Sequence, residues 1–429
     1  MFEIKGKYTA AIVYAEEIEE TCISQITQMT NNIAFVNPIA IMPDCHTGKG
    51  SVIGFTMKMT DKIIPNIIGV DGSCGMLSVK IKLNKIDCKE IDNGIREYIP
   101  FGRNIYEKPI LNVKEYFHYD ELENLCKKVG LNLKYVECSL GTVGGGNHFI
   151  EFGRDSENYL WITIHSGSRN LGKRVCEYWQ KVAKDKIFGS DRDYLQGKID
   201  KIKEDFKGKE IEIKIKKLKE SLYISQVQDD LAFLQGEDIN KYLIDMNFIH
   251  RYAHINRKQI MKLILKLLFG NNYLNHIEEQ IETVHNYISI FDKIIRKGAI
   301  SSYIGEKIII PLNMRDGILI CKGKSNPDWN YSAPHGAGRI LSRSAAKEKI
   351  ALNKFKEDMK DIYSTSVCTS TLDEAPDAYK ESILIEKLIE PTAIIINKIK
   401  PILNMKDKEE NFKSWKELRK EKKLNKKEI

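Results

Sequence analysis

With 429 residues and 42% hydrophobic content, the chain can bury one large core or two ordinary ones, which excludes disorder as its default state. Its net charge of +8 is a small difference between 67 basic and 59 acidic side chains, so charge alone does not mark a nucleic-acid binder. The nine cysteines lack the short repeated spacings of a disulfide framework and MFEIKGKYTA lacks the order of a signal peptide, so a reducing cytoplasm is expected.

In chain order, the pattern from Ile12 to Gln28 predicts a helix, followed by an extended AFVNPIAIMPD run. Short strands then alternate with Gly-rich turns as far as Lys82. The apolar, β-branched run YLWITI, Tyr159 to Ile164, predicts a buried strand that ends at His165. A Lys/Glu-rich stretch with apolar residues at helical intervals predicts an exposed arm or helical hairpin over about 190–222, clearest from Ile199 to Leu222. An amphipathic repeat predicts a long helix from Glu237 to Leu268. Strands are expected again from Lys307 to Lys322 and a helix from near Arg339. From Asp407 the chain is polar and helix-prone, a charged tail that docks loosely or stays mobile. Apolar runs such as IIPNIIGV and TAIIINKIKPIL are too short, or carry Lys too soon, to cross a bilayer, so no membrane segment is expected.

The segments MPDCHTGKGSVIGF, GVDGSCGM, GTVGGGNHFIEF, IHSGSRNLG and SAPHGAGRILSR combine glycine with His, Cys, Asp or Asn, a mixture that core packing does not require. Glycine lets the backbone approach a ligand and turn its N–H groups toward phosphate oxygens. In GVDGSCGM, Asp71 and Cys74 lie three residues apart on a turn, within reach of one metal site, and a thiolate can bridge two ions. Taken alone, the same segment reads as a turn aspartate and a small buried cysteine. His148 and His165 each read equally well as a ligand or as a hydrogen-bonded core histidine, and the Gly-rich company of Asp71 and Cys74 favours the ligand. His285 has no Gly-rich frame. His335 follows a proline and precedes Gly-Ala-Gly-Arg. An imidazole with one bare nitrogen and the other held by an acceptor is a nucleophile toward phosphorus, and Arg339 can offset phosphate charge; a loop histidine beside a helix cap is the plainer alternative.

Together and in this order these segments, with HNYIS and RKGAI, resemble the RtcB family of RNA ligases, the tRNA-splicing and RNA-repair enzymes, from Met42 to Lys406. The resemblance implies an α+β fold with mixed β-sheets and flanking helices, a single catalytic domain over residues 1–406 with a central cleft, and a charged tail over 407–429. It implies an enzyme that uses GTP and two Mn2+ ions to join an RNA 3′-phosphate or 2′,3′-cyclic phosphate to a 5′-hydroxyl. The metal ligands would be Asp71, Cys74, His148, His165 and His285. His335 would carry GMP, with Asp44 fixing its tautomer; Asn147, Glu151, Arg339, Tyr379 and Lys406 would hold the nucleotide; and Arg169 would face phosphate or RNA. The alternative is a metal-dependent phosphoesterase acting on cyclic phosphate ends without ligation. This sequence has Gly72-Ser73 where relatives commonly have an aliphatic residue and Gly. IPLNMRDGILICKGKSNPDWN resembles a compact bacterial branch, which leaves Asn313 unassigned. Lys406 matches a near-terminal lysine of relatives, yet here the chain continues to Ile429.

Overall fold

The computed structural model describes residues 1–221 and 228–408, and two sheets organise them. The six-stranded sheet runs, in spatial order, Phe2–Lys5, Ala10–Val13, Ile39–His46, Ile53–Lys58, Ile294–Lys297 and Asn286–Ile288. Only the Ala10–Val13 pairing with Ile39–His46 is parallel. The seven-stranded sheet runs Ile277–Val284, Gly75–Ile81, Leu160–Ser166, Phe149–Arg154, Ala393–Met405, Ile318–Gly323 and Lys307–Pro311, antiparallel throughout. Its two edge strands come together, and Lys307 ion-pairs with Glu279 across the gap, so this sheet curls toward closure. The fold is α+β with mixed sheets and flanking helices.

Side-chain alternation along the strands divides the seven-stranded sheet into two unlike faces. Leu77, Val79, Ile150, Phe152, Leu160, Ile162, Ile164, Leu403 and Met405 point outward, onto Ile91 and Ile95 of the Cys88–Tyr98 helix and Ile260 and Ile264 of the Glu237–Phe269 helix. The intervening residues point inward. Met76, Phe149 and Trp161 form a small apolar plug there, and Glu151, Thr163, His165 and Asn404 are the polar members of the same buried face. A face this polar and this buried is costly unless its groups are paired or bind something.

The structure agrees with several sequence expectations and corrects others. YLWITI forms the buried strand Leu160–Ser166, and the long helix spans Glu237–Phe269. The first helix is present but starts later than predicted, spanning Glu20–Thr30, because Ile12 and Val13 belong instead to the strand Ala10–Val13. β-Branched Ile12 and Val13 are captured by pairing with Ala40 and Ile41, and that tertiary context overrides the local helical period. The helix expected near Arg339 starts at Arg343, where Ser342 caps it by accepting from the Ala345 N–H. Arg339 itself is held in a β-bridge to Tyr379.

The charged arm is a helical hairpin, Arg169–Asp205 and Lys209–Ser221, turned at Gly208 (φ +61°). Its first helix begins some twenty residues before the predicted arm, because Leu171, Val175, Trp179 and Ala183 form a buried stripe that roots it in the core. The predicted tail lies, from residue 409 onward, outside the described residues. Among the described residues no helix is long and apolar enough to cross a membrane. Ile162 is fully buried on the outward face, so Ile162→Ala is expected to cost about 2–5 kcal/mol, read as a lower denaturation midpoint in urea with an unchanged slope.

Candidate metal and nucleotide site

Four neighbouring strands of the seven-stranded sheet end at the same edge, and each delivers one ligand candidate there. His285 directly follows Ile277–Val284, Cys74 directly precedes Gly75–Ile81, His165 is the penultimate residue of Leu160–Ser166, and His148 directly precedes Phe149–Arg154. Antiparallel pairing makes the end of one strand the neighbour of the start of the next: Val284 opposes Gly75, Gly75 opposes Ser166, and His165 opposes Phe149. Gly75 is needed for this closeness, since a Cβ there would stand 2.3 Å from the Thr283 carbonyl oxygen.

The resulting distances are short. Cys74 Sγ lies 3.3 Å from His148 Nε2 and 3.2 Å from His165 Nε2, and His165 Nε2 lies 3.3 Å from His285 Nε2. Asp71 Oδ1 is 3.7 Å from His148 Nε2. Two ligand groups result, Cys74–His165–His285 and Asp71–Cys74–His148, and they share Cys74. Desolvation holds the pKa values of His165 and His285 well below the ordinary imidazole value, so both are neutral. Burial pushes the Cys74 thiol well up, with the Asp71 charge acting in the same direction.

With Nδ1 of His165 donating to the Asn147 carbonyl at 3.2 Å, its Nε2 presents a bare lone pair. That lone pair faces a sulfur and a second imidazole nitrogen, an arrangement of acceptors that a cation would satisfy. The donor set therefore fits a metal ion, and binding would draw the proton from the thiol.

His335 stands beside the cluster, its ring centroid 4.8 Å from that of His285. Its Nδ1 donates to Asp44 Oδ2 at 2.7 Å, and Asp44 is fully buried. This bond assigns the proton to Nδ1 and leaves Nε2 bare. Gly338 (φ +75°) lets the HGAGR turn lie directly on the PDCH strand, because a Cβ there would sit 2.2 Å from the Asp44 carbonyl oxygen.

His335 also opens onto a cavity of about 190 Å³ whose lining includes Asn147, Glu151, Arg339, Tyr379 and Lys406. Glu151 is buried, accepts from Asn404 Nδ2 at 2.8 Å, and has its other oxygen unpartnered; desolvation pushes its pKa up to about 8. Arg339 lies over the Tyr379 ring, 5.0 Å from its centroid. Lys406 is buried although the chain continues past it, and its Nζ donates to the Asn147 carbonyl at 3.3 Å.

Arg169 occupies a different position, beneath the Gly-rich loop. Its guanidinium donates to Thr142 Oγ1 at 3.0 Å and the Gly102 carbonyl at 2.8 Å, supporting the loop that carries Asn147 and His148. Asn313 lines the cavity, but its side chain is engaged in a local turn, accepting from the Arg315 and Asp316 N–H groups.

Sequence reasoning missed Glu374. This buried carboxylate accepts from Lys406 Nζ at 2.8 Å and Tyr379 OH at 2.9 Å, and it pairs with Arg343 at 3.2 Å and Arg339 at 3.5 Å. Desolvation alone would raise its pKa, yet Lys406, Arg343 and Arg339 outweigh that and pull it down to about 2. In DEAPDAY nothing local distinguishes it from a surface acid. It also missed Asn404 and His46. Asn404 was accessible by alternation, since it lies two residues before Lys406 and lines the same cavity. His46 lines the cavity, hydrogen-bonds the Asp44 carbonyl at 3.0 Å, and has its pKa lowered to about 4 by desolvation.

Two stability predictions follow from this geometry. A carboxylate whose folded pKa lies below its unfolded value stabilises the protein above the unfolded pKa and loses that effect as pH falls through the folded one. Glu374→Gln should therefore cost about 3 kcal/mol at pH 7, with the gap from wild type shrinking as pH falls from 4.5 toward 2, measured by urea unfolding across pH. Ser73 is fully buried in a left-handed conformation (φ +61°), with its hydroxyl unpartnered. Ser73→Gly should stabilise by about 1–2 kcal/mol, seen as a higher melting temperature.

Comparison with known proteins agrees with this geometry. The family model described as tRNA-splicing ligase RtcB matches residues 25–407. The RNA-splicing ligase RtcB of Escherichia coli K12 is 29% identical over 378 residues, covering 80% of this chain and 83% of the relative. The tRNA-splicing ligase RtcB of Nanoarchaeum equitans is 24% identical over 447 aligned residues, covering 85% of this chain and 86% of the relative. With a shared family model over nearly its whole length and a clustered set of ligand and nucleophile candidates, the chain belongs to the RtcB family.

Proposed function

We propose that this protein is a GTP- and manganese-dependent RNA ligase that joins RNA 3′-phosphate or 2′,3′-cyclic phosphate ends to 5′-hydroxyl ends through a histidine–GMP intermediate. The observation that carries this reading is the His335–Asp44 pair set against the ligand cluster, 2.7 Å from carboxylate to Nδ1 and 4.8 Å from the His285 ring to that of His335. Hydrolysis of a cyclic phosphate alone would need no such nucleophile. Family membership supports ligase activity on RNA, the reaction in the relatives' names.

Asp71, Cys74, His148, His165 and His285 would hold two manganese ions, with Cys74 common to both. When bound, the ions would supply positive charge to phosphate oxygens and to the departing pyrophosphate. Thiolate and imidazole bind zinc more tightly than manganese, so use of manganese depends on supply and on exchangeable positions, and the partly exposed Asp71 adds a harder oxygen ligand.

Nε2 of His335 attacks the α-phosphorus of GTP; the P–N bond forms as the bond to pyrophosphate breaks, and Asp44 holds the Nδ1 proton and stabilises the imidazolium. An RNA 3′-phosphate oxygen then takes the guanylyl group, releasing His335. The 5′-hydroxyl attacks the activated 3′-phosphorus and GMP leaves. A cyclic phosphate end is first opened by water to a 3′-phosphate. Asn147, Glu151, Tyr379 and Lys406, which line the cavity, would hold the nucleotide, with Glu374 fixing Lys406 and Tyr379, and Arg339 would meet phosphate. Burial, which pushes the Glu151 pKa up to about 8, favours its protonated form, and that form can donate as well as accept a hydrogen bond to a base edge.

Incubation with α-labelled GTP and Mn2+ should attach label to wild-type protein through an acid-labile bond, and His335→Ala should carry none. Label retained in His335→Ala, or absent from metal-loaded wild type, would exclude the mechanism. Asp44→Asn should slow adduct formation by about 10²- to 10⁴-fold in a single-turnover assay, because the amide no longer stabilises the developing imidazolium. Two short RNAs with defined ends should be joined only when the donor carries a 3′-phosphate or cyclic phosphate and the acceptor a 5′-hydroxyl.

A further inference from the structure

We infer that Asn256 and Arg257, adjacent on the Glu237–Phe269 helix, form a positioning clamp that sets the ligand spacing of the Cys74 cluster. The inference rests on reading that cluster as a metal site. Both residues are fully buried behind it. Asn256 Oδ1 accepts from the Gly141 N–H at 2.7 Å and the Thr142 N–H at 3.2 Å. Its Nδ2 donates to the Thr142 carbonyl at 3.2 Å, Ser166 Oγ at 3.0 Å and the Gly167 carbonyl at 3.2 Å. Arg257 Nη1 donates to the Ser73 carbonyl at 3.0 Å and the Ser166 carbonyl at 2.9 Å, and its Nε donates to Glu282 Oε1 at 2.8 Å.

Every segment that supplies a cysteine or histidine ligand is therefore held from one helical turn. Ser73 precedes Cys74, Ser166 follows His165, Glu282 lies on the strand that ends before His285, and Thr142 opens the loop that leads to His148. Burying an arginine and an asparagine completely is costly, and a purely packing role would favour apolar side chains such as the neighbouring Ile260 and Ile264. Their hydrogen bonds go to the Glu282 carboxylate, to the Gly141–Thr142 backbone and Ser166 Oγ, and to the carbonyls of Ser73, Ser166 and Gly167 beside Cys74 and His165. The Arg257 charge is paired with Glu282, and its Nη1 holds the carbonyl one peptide away from the thiol. Groups that orient ligands in this way fix ligand position before the ion arrives.

Co2+ is the probe, because thiolate-to-cobalt absorption reports Cys74 ligation and the visible bands report geometry. Arg257→Lys keeps a cation beside Glu282 but loses the planar fork that reaches both carbonyls and the carboxylate. It should melt near wild type, bind Co2+ about 10- to 100-fold more weakly, and show altered visible bands. Lys258→Ala, on the exposed side of the same helix, should bind as wild type does. A folded Arg257→Lys with wild-type affinity and spectrum would overturn the clamp. Should that variant fail to fold, Glu282→Gln is read in the same way: weakened binding supports the clamp, and unchanged binding overturns it. A wild type without a thiolate band, or a Cys74→Ala protein that binds Co2+ as wild type does, would instead defeat the metal reading beneath it.

Discussion

The convergence of acceptor atoms on Cys74 Sγ is the constraint around which the rest of the molecule is arranged. Imidazole nitrogens that lie 3.2–3.3 Å from a buried sulfur, in a pocket where desolvation holds the pKa values of His165 and His285 down, are a poor way to fill a core. They become favourable when a cation takes up the lone pairs. Four adjacent antiparallel strands ending at one edge bring those atoms together, and alternation along the strands gives the sheet an apolar face to anchor it and a polar face to present.

Two buried charges of opposite sign frame this edge. On the cluster side, Arg257 binds the carbonyls that flank Cys74 and His165. On the cavity side, Glu374 gathers Lys406, Arg339, Arg343 and Tyr379. Each charge is compensated by groups already in the site. His335 lies where the two regions meet, with one ring nitrogen committed to Asp44 and the ring packed near His285. The positions of His335, Lys406 and the cysteine and histidine side chains are thus fixed by buried hydrogen-bond partners, the kind of preorganisation that the proposed chemistry would require.

Much of the candidate site was legible because its residues lie in glycine-rich segments whose composition is unusual for a core. His285 was legible only by resemblance: its environment is an ordinary strand end, and its role depends on the pairing of Val284 with Gly75. Glu374, Asn256 and Arg257 could not be found by local pattern, since a buried acid in DEAPDAY and a polar pair in an amphipathic helix look like exposed residues until the tertiary partners are known. The strand at Ala10–Val13 was hidden for the same reason, since besides the neighbouring Phe2–Lys5 it pairs with Ile39–Ile41, some thirty residues along the chain. The long helix and the YLWITI strand were readable because burial and local periodicity point the same way there.

If Cys74 is the shared ligand of a metal centre beside His335, anomalous diffraction from crystals equilibrated with Mn2+ will show it. Manganese peaks are expected on either side of the Cys74 sulfur, one toward His165 and His285 and the other toward Asp71 and His148. Manganese bound elsewhere, with the space around that sulfur empty, would contradict it.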